Sequence, residues 1–191
     1  MEAKKLDKVF NRVMPHLSLN SRKEVEALCS GARLPKGSLL FRPGSPNHSE
    51  YLLLDGIVRT FLLSAEGEDI TLSFFEAPAV LPPHVTRTKQ GKSLLYAEAL
   101  SDCVALEMQA SAFEALMIEN LELRNFGNTV LRQELQQKVN KEIRMASWSA
   151  RDRLLQFRQD FTMLENRVPH AMIASYLGIT TVSLSRLRKG S

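Results

Sequence analysis

The sequence predicts an α+β chain, with a β-rich first half flanked by helices, one long helix after it, and an all-α C-terminal end. Three observations carry this expectation. Six or so short apolar runs, punctuated by turn pairs such as Asp55-Gly56 and Glu66-Gly67, fall between residues 34 and 108. A proline-free stretch from Ser111 to about Met145 is interrupted only by Gly127. Finally, the segment PHAMIASYLGITTVSLSRLRK (169–189) has the spacing of two short helices joined by a tight turn.

The elements follow in order. Leu6, Val9, Phe10 and Val13 recur at helical spacing, and Pro15 ends the run. Ser21 and Glu24 read as a capping box opening a short helix through Val25, Leu28 and Cys29, which Gly31 closes. Strands are expected over 38–41, 51–54, 57–63, 70–75, 94–99 and 103–108, arranged as an all-β barrel or sandwich. In the run 57–63, Ile57, Arg59, Phe61 and Leu63 share one face and Val58, Thr60 and Leu62 the other. The intervening stretch 76–92 is Pro-rich and reads as irregular.

Ser111 and Glu114 form a second capping box. A bend is expected near Asn120, with a long helix from about Glu122. That helix carries two apolar stripes, Leu123, Phe126 and Val130 on one side and Leu131, Leu135, Val139 and Ala146 on roughly the other. A helix apolar on two sides needs two partners. We read one as the β-rich part and the other as a second subunit; burial within one large core is the alternative. Trp148, Leu154, Leu155, Phe157 and Phe161 mark a further helix over 147–161, and Asn166 marks its end.

In the last segment Ala171, Ile173, Ala174 and Leu177 supply an apolar face. Gly178 breaks the first helix because the turn wants positive φ. Thr180 is suited to cap the second helix, whose Leu184 and Leu187 face inward. This is the spacing of a helix-turn-helix, whose second helix enters the DNA major groove; an ordinary helical hairpin has a similar pattern.

Composition bounds the functional classes. The 191 residues are 44% hydrophobic, enough for one large or two small cores. No apolar run reaches the ~20 residues that span a bilayer, and the charged start MEAKKLDKVFNRVM lacks a secretory signal's apolar stretch, so the expected location is cytoplasmic. Residues 141–191 hold nine Lys/Arg against four Asp/Glu, a net +5 that leaves −1 for the other 140 residues. A phosphate-binding surface needs such a concentration. Cys29 and Cys103 are two isolated thiols, expected as small core side chains rather than reactive groups, and two thiols cannot ligate an iron–sulfur cluster alone. The histidines at 16, 48, 84 and 170 are scattered, with no His-x-His pair, which argues against a metal-dependent enzyme; no catalytic triad or paired carboxylate stands out. His84 reads as an exposed loop histidine. No catalytic residue, metal site or cofactor is expected.

The segments KGSLLFRPGSP (36–46), YLLLDGIVRTFLLSAEGEDITLSFF (51–75), YAEALSDCVALEM (96–108) and IASYLGITTVSLSRLRK (173–189) together resemble the Crp/Fnr superfamily of bacterial transcription regulators, in the same order and across almost the whole chain. The resemblance implies an N-terminal β jelly roll (double-stranded β-helix) with flanking helices as a cyclic-nucleotide-binding-like sensor over 1–120. It implies a dimerisation helix over 121–146, and a winged-helix-like all-α domain with a helix-turn-helix over 147–191. The implied function is a DNA-binding transcription regulator that binds a roughly palindromic operator on double-stranded DNA as a homodimer. The alternative is an effector-binding or protein-interaction module that no longer binds DNA specifically. The sequence stops just past the second helix, so little or no C-terminal wing is expected.

Site residues follow from the same resemblance. Thr180 caps the recognition helix and can donate to a phosphate. Thr181, Val182, Ser185 and Arg186 fall on its exposed face, with Arg186 suited to bidentate contact with guanine; pairing of Arg186 with an acid on the preceding helix is the alternative. Arg188 and Lys189 are expected at phosphates. In the family's phosphate cassette a Gly-Glu pair and an Arg followed by Ser or Thr hold the cyclic nucleotide. Here EAPAVLPPHVTRTKQGKSLLYAEAL has no Gly-Glu pair, prolines 78, 82 and 83 remove backbone donors, and Lys92-Ser93 stands roughly at the Arg-Ser position. Lys92 and Ser93 remain a possible pocket for an unknown small-molecule effector, with no tight binding of cAMP expected and no membrane partner.

Overall fold

In the computed structural model, which describes residues 2–13, 15 and 17–189, the chain folds as two compact units, Met1–Thr60 with Phe74–Leu135 and Phe61–Ser73 with Gln136–Ser191. His16 and residues 190–191, the last two positions of the expected DNA-reading domain, lie outside the described residues.

The first unit opens with helices α1 (Glu2–Val13) and α2 (Leu19–Leu28). Strands β1 (Ser30–Leu34), β2 (Leu39–Phe41), β3 (Ser49–Asp55), β4 (Ile57–Leu63) and β5 (Asp69–Glu76) follow. The Pro-rich stretch is not wholly irregular. It forms β6 (Ala79–Val80), a one-turn helix α3 (His84–Arg87), and a small hairpin of β7 (Thr88–Lys89) and β8 (Lys92–Ser93). Strands β9 (Tyr96–Ala99) and β10 (Cys103–Gln109) lead into α4 (Ala110–Glu119) and the long α5 (Leu121–Ser147).

Two four-stranded sheets result, ordered β1-β10-β3-β6 and β2-β9-β4-β5. The alternation of β3 shows how they are filled. Leu52 and Leu54 enter a core with Val9, Phe10, Phe113 and Phe126 from the helices. Leu53, pointing the other way, enters a core shared by both sheets with Phe41, Val58, Phe75 and Ala97. The first sheet is therefore apolar on both faces, one covered by helices and the other by its fellow sheet. In β4 both faces are buried over residues 57–61. Arg59 is accommodated there by a cross-strand pair with Glu98 on β9, its Nε and Nη2 2.8 and 2.7 Å from Oε2.

Several helix boundaries differ from expectation. The cap of α2 is Ser18, not Ser21: Ser18 Oγ accepts from the Ser21 N–H, and both hydroxyls donate to Glu122 of α5 at 2.6 Å. Ser18 thus holds the cap although the local pattern favours Ser21, and one tertiary carboxylate ties both hydroxyls. Gly31 lies inside β1 rather than closing a helix. Ser111 does not cap α4, because β10 runs straight into that helix and the Ala110 N–H is taken by the His48 carbonyl. The bend at Asn120 is present. Asn120 Oδ1 accepts from the N–H groups of Glu122 and Leu123, starting α5 where α4 ends.

The second unit contains the latter part of α5, α6 (Ala150–Asp160) capped by Ser149, a 3-10 turn at Leu164–Asn166, α7 (His170–Leu177) and α8 (Thr181–Lys189). The helix expected from residue 147 begins at 150, because Ser149 takes the cap and breaks the chain after α5. Leu154, Phe157, Leu164, Ile173, Leu177 and Leu184 are its buried core. Phe157, Phe161 and Tyr176 form an aromatic triangle with centroids 5.2–6.3 Å apart. Residues 61–73 join this unit through α7: Ser175 Oγ accepts from the Thr71 N–H at 2.9 Å and donates to the Asp69 carbonyl at 3.0 Å. Strand β5 is the edge of its sheet, so this hydroxyl satisfies edge groups that lack a further strand.

Candidate nucleic-acid interface

Helices α7 and α8 are joined by the turn that the sequence anticipates. Gly178 adopts φ 64°, ψ 40°, the left-handed conformation that ends α7. A Cβ at this position would also lie 2.3 Å from Met145 Cε, so glycine serves both conformation and space. Thr180 Oγ1 accepts from the Ser183 N–H at 3.1 Å, capping α8. Ile173, Ala174, Leu177 and Leu184 are all buried; Ala171, expected among them, is exposed. It lies one turn before Ser175 near the start of α7, outside the stripe that Ile173, Ala174 and Leu177 present inward.

With Leu184 pinned inside, α8 must show its other side to solvent. Thr181, Val182, Ser185, Arg186 and Lys189 are exposed, and Val182 retains 58% of its accessible surface. The alternative of Arg186 paired to an acid does not arise: among the described residues it has no ion pair. Arg188, expected at a phosphate, is instead partly covered. Its Nε lies 2.8 Å from Glu165 Oε1, and its Nη1 donates to His170 Nδ1 at 3.1 Å. Glu165 also accepts from Arg158 Nε and Nη2 at 2.7 and 3.1 Å. This fork, with Arg188 behind it, holds the Glu165 carboxyl below the usual carboxylate range. The network was not visible from spacing, because Arg158, Glu165 and Arg188 lie on three different elements.

Behind the helix pair, Lys141 of α5 is largely buried. Its Nζ donates to the Leu72 carbonyl at 2.6 Å and sits 4.0 Å from the Tyr176 ring centroid. Burial lowers its pKa to about 8, aided by Lys138 nearby.

In the β-rich unit, the stretch that resembles a phosphate cassette is built around a residue the sequence did not single out. Arg87 at the end of α3 is fully buried. Its Nε donates to the Pro82 carbonyl at 2.8 Å and its Nη2 to the Ser49 carbonyl, while the guanidinium lies 4.7 and 5.2 Å from the rings of Phe41 and Tyr51. Glu50 stands 3.9 Å away and takes the His84 N–H with both oxygens at 2.9 Å. Burial pushes the Glu50 carboxyl up to about 7, against the opposing pull of the His84 N–H and Arg87. His84 is half-buried rather than exposed, with Nε2 2.8 Å from the Asn47 carbonyl. Lys92 is exposed on β8, whereas Ser93 is buried and donates to the Leu95 carbonyl at 2.8 Å. Ser93 therefore closes a turn, and Lys92 stands apart from it.

Among the described residues there is no grouping of three His, Cys, Asp or Glu able to hold a metal, and no helix is long and apolar enough to cross a membrane. Cys29 and Cys103 are free; burial raises both thiols, Cys29 to about 11.

Residues 32–120 match the cyclic nucleotide-binding domain family. No curated protein matches the chain by sequence. Among solved structures, FixK2 from Bradyrhizobium japonicum aligns over 85% of this chain and 83% of its own, at 19% identity and a TM-score of 0.72. The c-di-GMP responsive global regulator CLP of Xanthomonas campestris covers 91% of each chain, at 16% identity and 0.72. A structure from Eubacterium rectale described as a transcriptional regulator of the Crp/Fnr family covers 93% of this chain and 84% of its own, at 19% identity and 0.71. At these identities the likeness is one of fold. Residues 32–120 thus resemble a cyclic nucleotide-binding domain, and the chain has the fold of Crp/Fnr-type transcription regulators.

Proposed function

We propose that this protein is a DNA-binding transcription regulator of the Crp/Fnr type, acting as a homodimer on a roughly palindromic operator. The observation that carries the reading is α8. Its inner side is fixed by Leu184 and its outer side presents Thr181, Val182, Ser185 and Arg186 to solvent, with Arg186 uncommitted among the described residues. A capped helix with polar side chains and one free guanidinium is suited to the major groove, where an arginine reads guanine O6 and N7. Thr180 and Lys189 flank it as phosphate contacts. In this reading residues 1–120 are a jelly-roll sensor domain, 121–146 the dimerisation helix and 147–191 the DNA reader.

The test is Arg186→Ala against an operator selected from random DNA by the wild-type protein. Loss of one bidentate contact costs ~1–3 kcal/mol, about 5- to 150-fold in affinity, and relaxes preference at one base pair per half-site. Equal loss on all sequences would make Arg186 a phosphate contact. No sequence-selective binding by the wild type would favour a module that regulates without reading DNA.

A further inference from the structure

At the far end of α8, a groove of about 380 Å³ is lined by Arg158, Glu165, Asn166, Ser185, Arg188 and Lys189. It draws three cations from two helices around a single carboxylate. Arg158 and Arg188 both bind Glu165, at 2.7–3.1 Å, while Lys189 is exposed and makes no ion pair among the described residues. Glu165 is not a rim acid: its side chain is 13% exposed, less than either arginine. The groove therefore has an excess of positive charge, a hydroxyl and an amide, and one internal anion in the position where an external anion would sit.

We propose that this groove receives a backbone phosphate of DNA, and that Glu165 is the internal anion from which that phosphate takes Arg188. The inference rests on the reading of α8 as the DNA-contacting helix. The geometry permits the exchange without stranding a charge. When Arg188 swings away, Glu165 keeps both bonds to the Arg158 fork, so the carboxylate is never left unpaired. Arg188 leaves one anion for another, and among the described residues its bond to His170 Nδ1 is the only other bond it releases. A guanidinium fits two oxygens of a phosphate as it fits a carboxylate. Glu165 thereby sets a toll on every DNA sequence alike, because like charge opposes the incoming phosphate. Binding that depends only on phosphates is weakened, and the base contacts of the exposed face of α8 gain relative weight.

The experiment measures affinity of the full chain for its selected operator and for a scrambled duplex of equal length across a KCl series. Glu165→Gln keeps the shape and removes the charge. It should tighten binding to both duplexes about three- to tenfold and, with one negative charge gone from the groove, steepen the log–log salt slope by up to roughly one. Adding Arg188→Ala to that variant should abolish the gain. Lys189→Ala, at an exposed residue with no ion pair among the described residues, should make the slope shallower by roughly one on both duplexes. If Glu165→Gln is folded yet binds no tighter, the carboxylate is only a clamp between helices and the proposal is wrong. If Glu165→Gln does not fold, Lys189→Ala decides: an unchanged slope means the groove takes no phosphate. A wild type that binds no DNA fails the α8 reading itself, and this proposal with it. A wild type that binds selectively while neither variant moves the slope fails this proposal alone.

Discussion

The outer stripe of α5 supplies the sharpest test of self-association. Leu131, Leu135, Val139 and Ile143 follow one another at four-residue spacing and are 39, 63, 39 and 53% exposed. They form a ridge of the kind that packs into the grooves of a neighbouring helix. A large aliphatic side chain contributes ~1.5–3 kcal/mol when fully buried, so covering the exposed part of Leu135 contributes about 1–2 kcal/mol. A two-fold interface uses each residue twice, which doubles this to about 2–4 kcal/mol per dimer. Leu135→Glu forfeits that contribution and adds a facing pair of carboxylates, so the dissociation constant should rise at least ~30-fold. Sedimentation equilibrium across a concentration series reads this directly. Leu19→Glu is the control, since Leu19 is 75% exposed on α2 and lies off the ridge; it should leave association unchanged. A wild type that remains monomeric at about 100 μM, where even weak association of roughly −6 kcal/mol is populated, would refute the reasoning. So would a Leu135→Glu protein that dimerises as the wild type does.

Two further outcomes follow from titratable and loop groups. Lys141 has a native pKa of about 8 against 10.5 for the free side chain. Between those values the unfolded chain holds the extra proton, so stability rises with pH through that window, and below it the full burial cost of up to ~3 kcal/mol is present. In urea unfolding at pH 7, 9 and 10, the wild type should gain stability relative to Lys141→Met; parallel pH curves would show that Lys141 is not held in its buried position. The loop at 76–93 has no Gly-Glu pair to accept from a ribose, prolines 78, 82 and 83 remove backbone donors, and Arg87 is engaged by Pro82 and Ser49. Calorimetric titration with cAMP and cGMP should therefore give no micromolar binding, and an affinity in that range would overturn this account of the loop.

Most of the fold was legible because its signals are local or periodic. The strand runs ended at Asp55-Gly56 and Glu66-Gly67, where Gly56 and Gly67 have φ of 94° and 82°. The break at Asn120 was legible as well, since an asparagine can end one helix and cap the next. What escaped were bonds made across long stretches of chain. The local pattern points to Ser21 as the cap of α2, and the Glu122 carboxylate that ties Ser18 and Ser21 arrives from a helix a hundred residues on. Arg87, the most enclosed cation of the described chain, is followed by Thr88, so an Arg-Thr pair is there to be read, but its burial leaves no mark on its neighbours in sequence. Ser175, likewise, looks like any helical serine until the edge of β5 presents Thr71 and Asp69 to it.

One distinction, though, is legible in the helical period. Arg186 and Arg188 sit two residues apart and both read as DNA contacts, yet two residues on a helix are about 200° around its axis. A helix that shows Arg186 to solvent must turn Arg188 toward the body of the unit. Leu184 and Arg188 are an i, i+4 pair, so burial of Leu184 by itself places Arg188 at the margin of the core. A guanidinium at such a margin requires an anion, and among the acids of residues 141–191 it is Glu165 that meets it. The helical period thus separates a residue free to read bases from one that must first be released. The difference between them, and not the total positive charge of the segment, decides how selective a DNA contact through α8 can be.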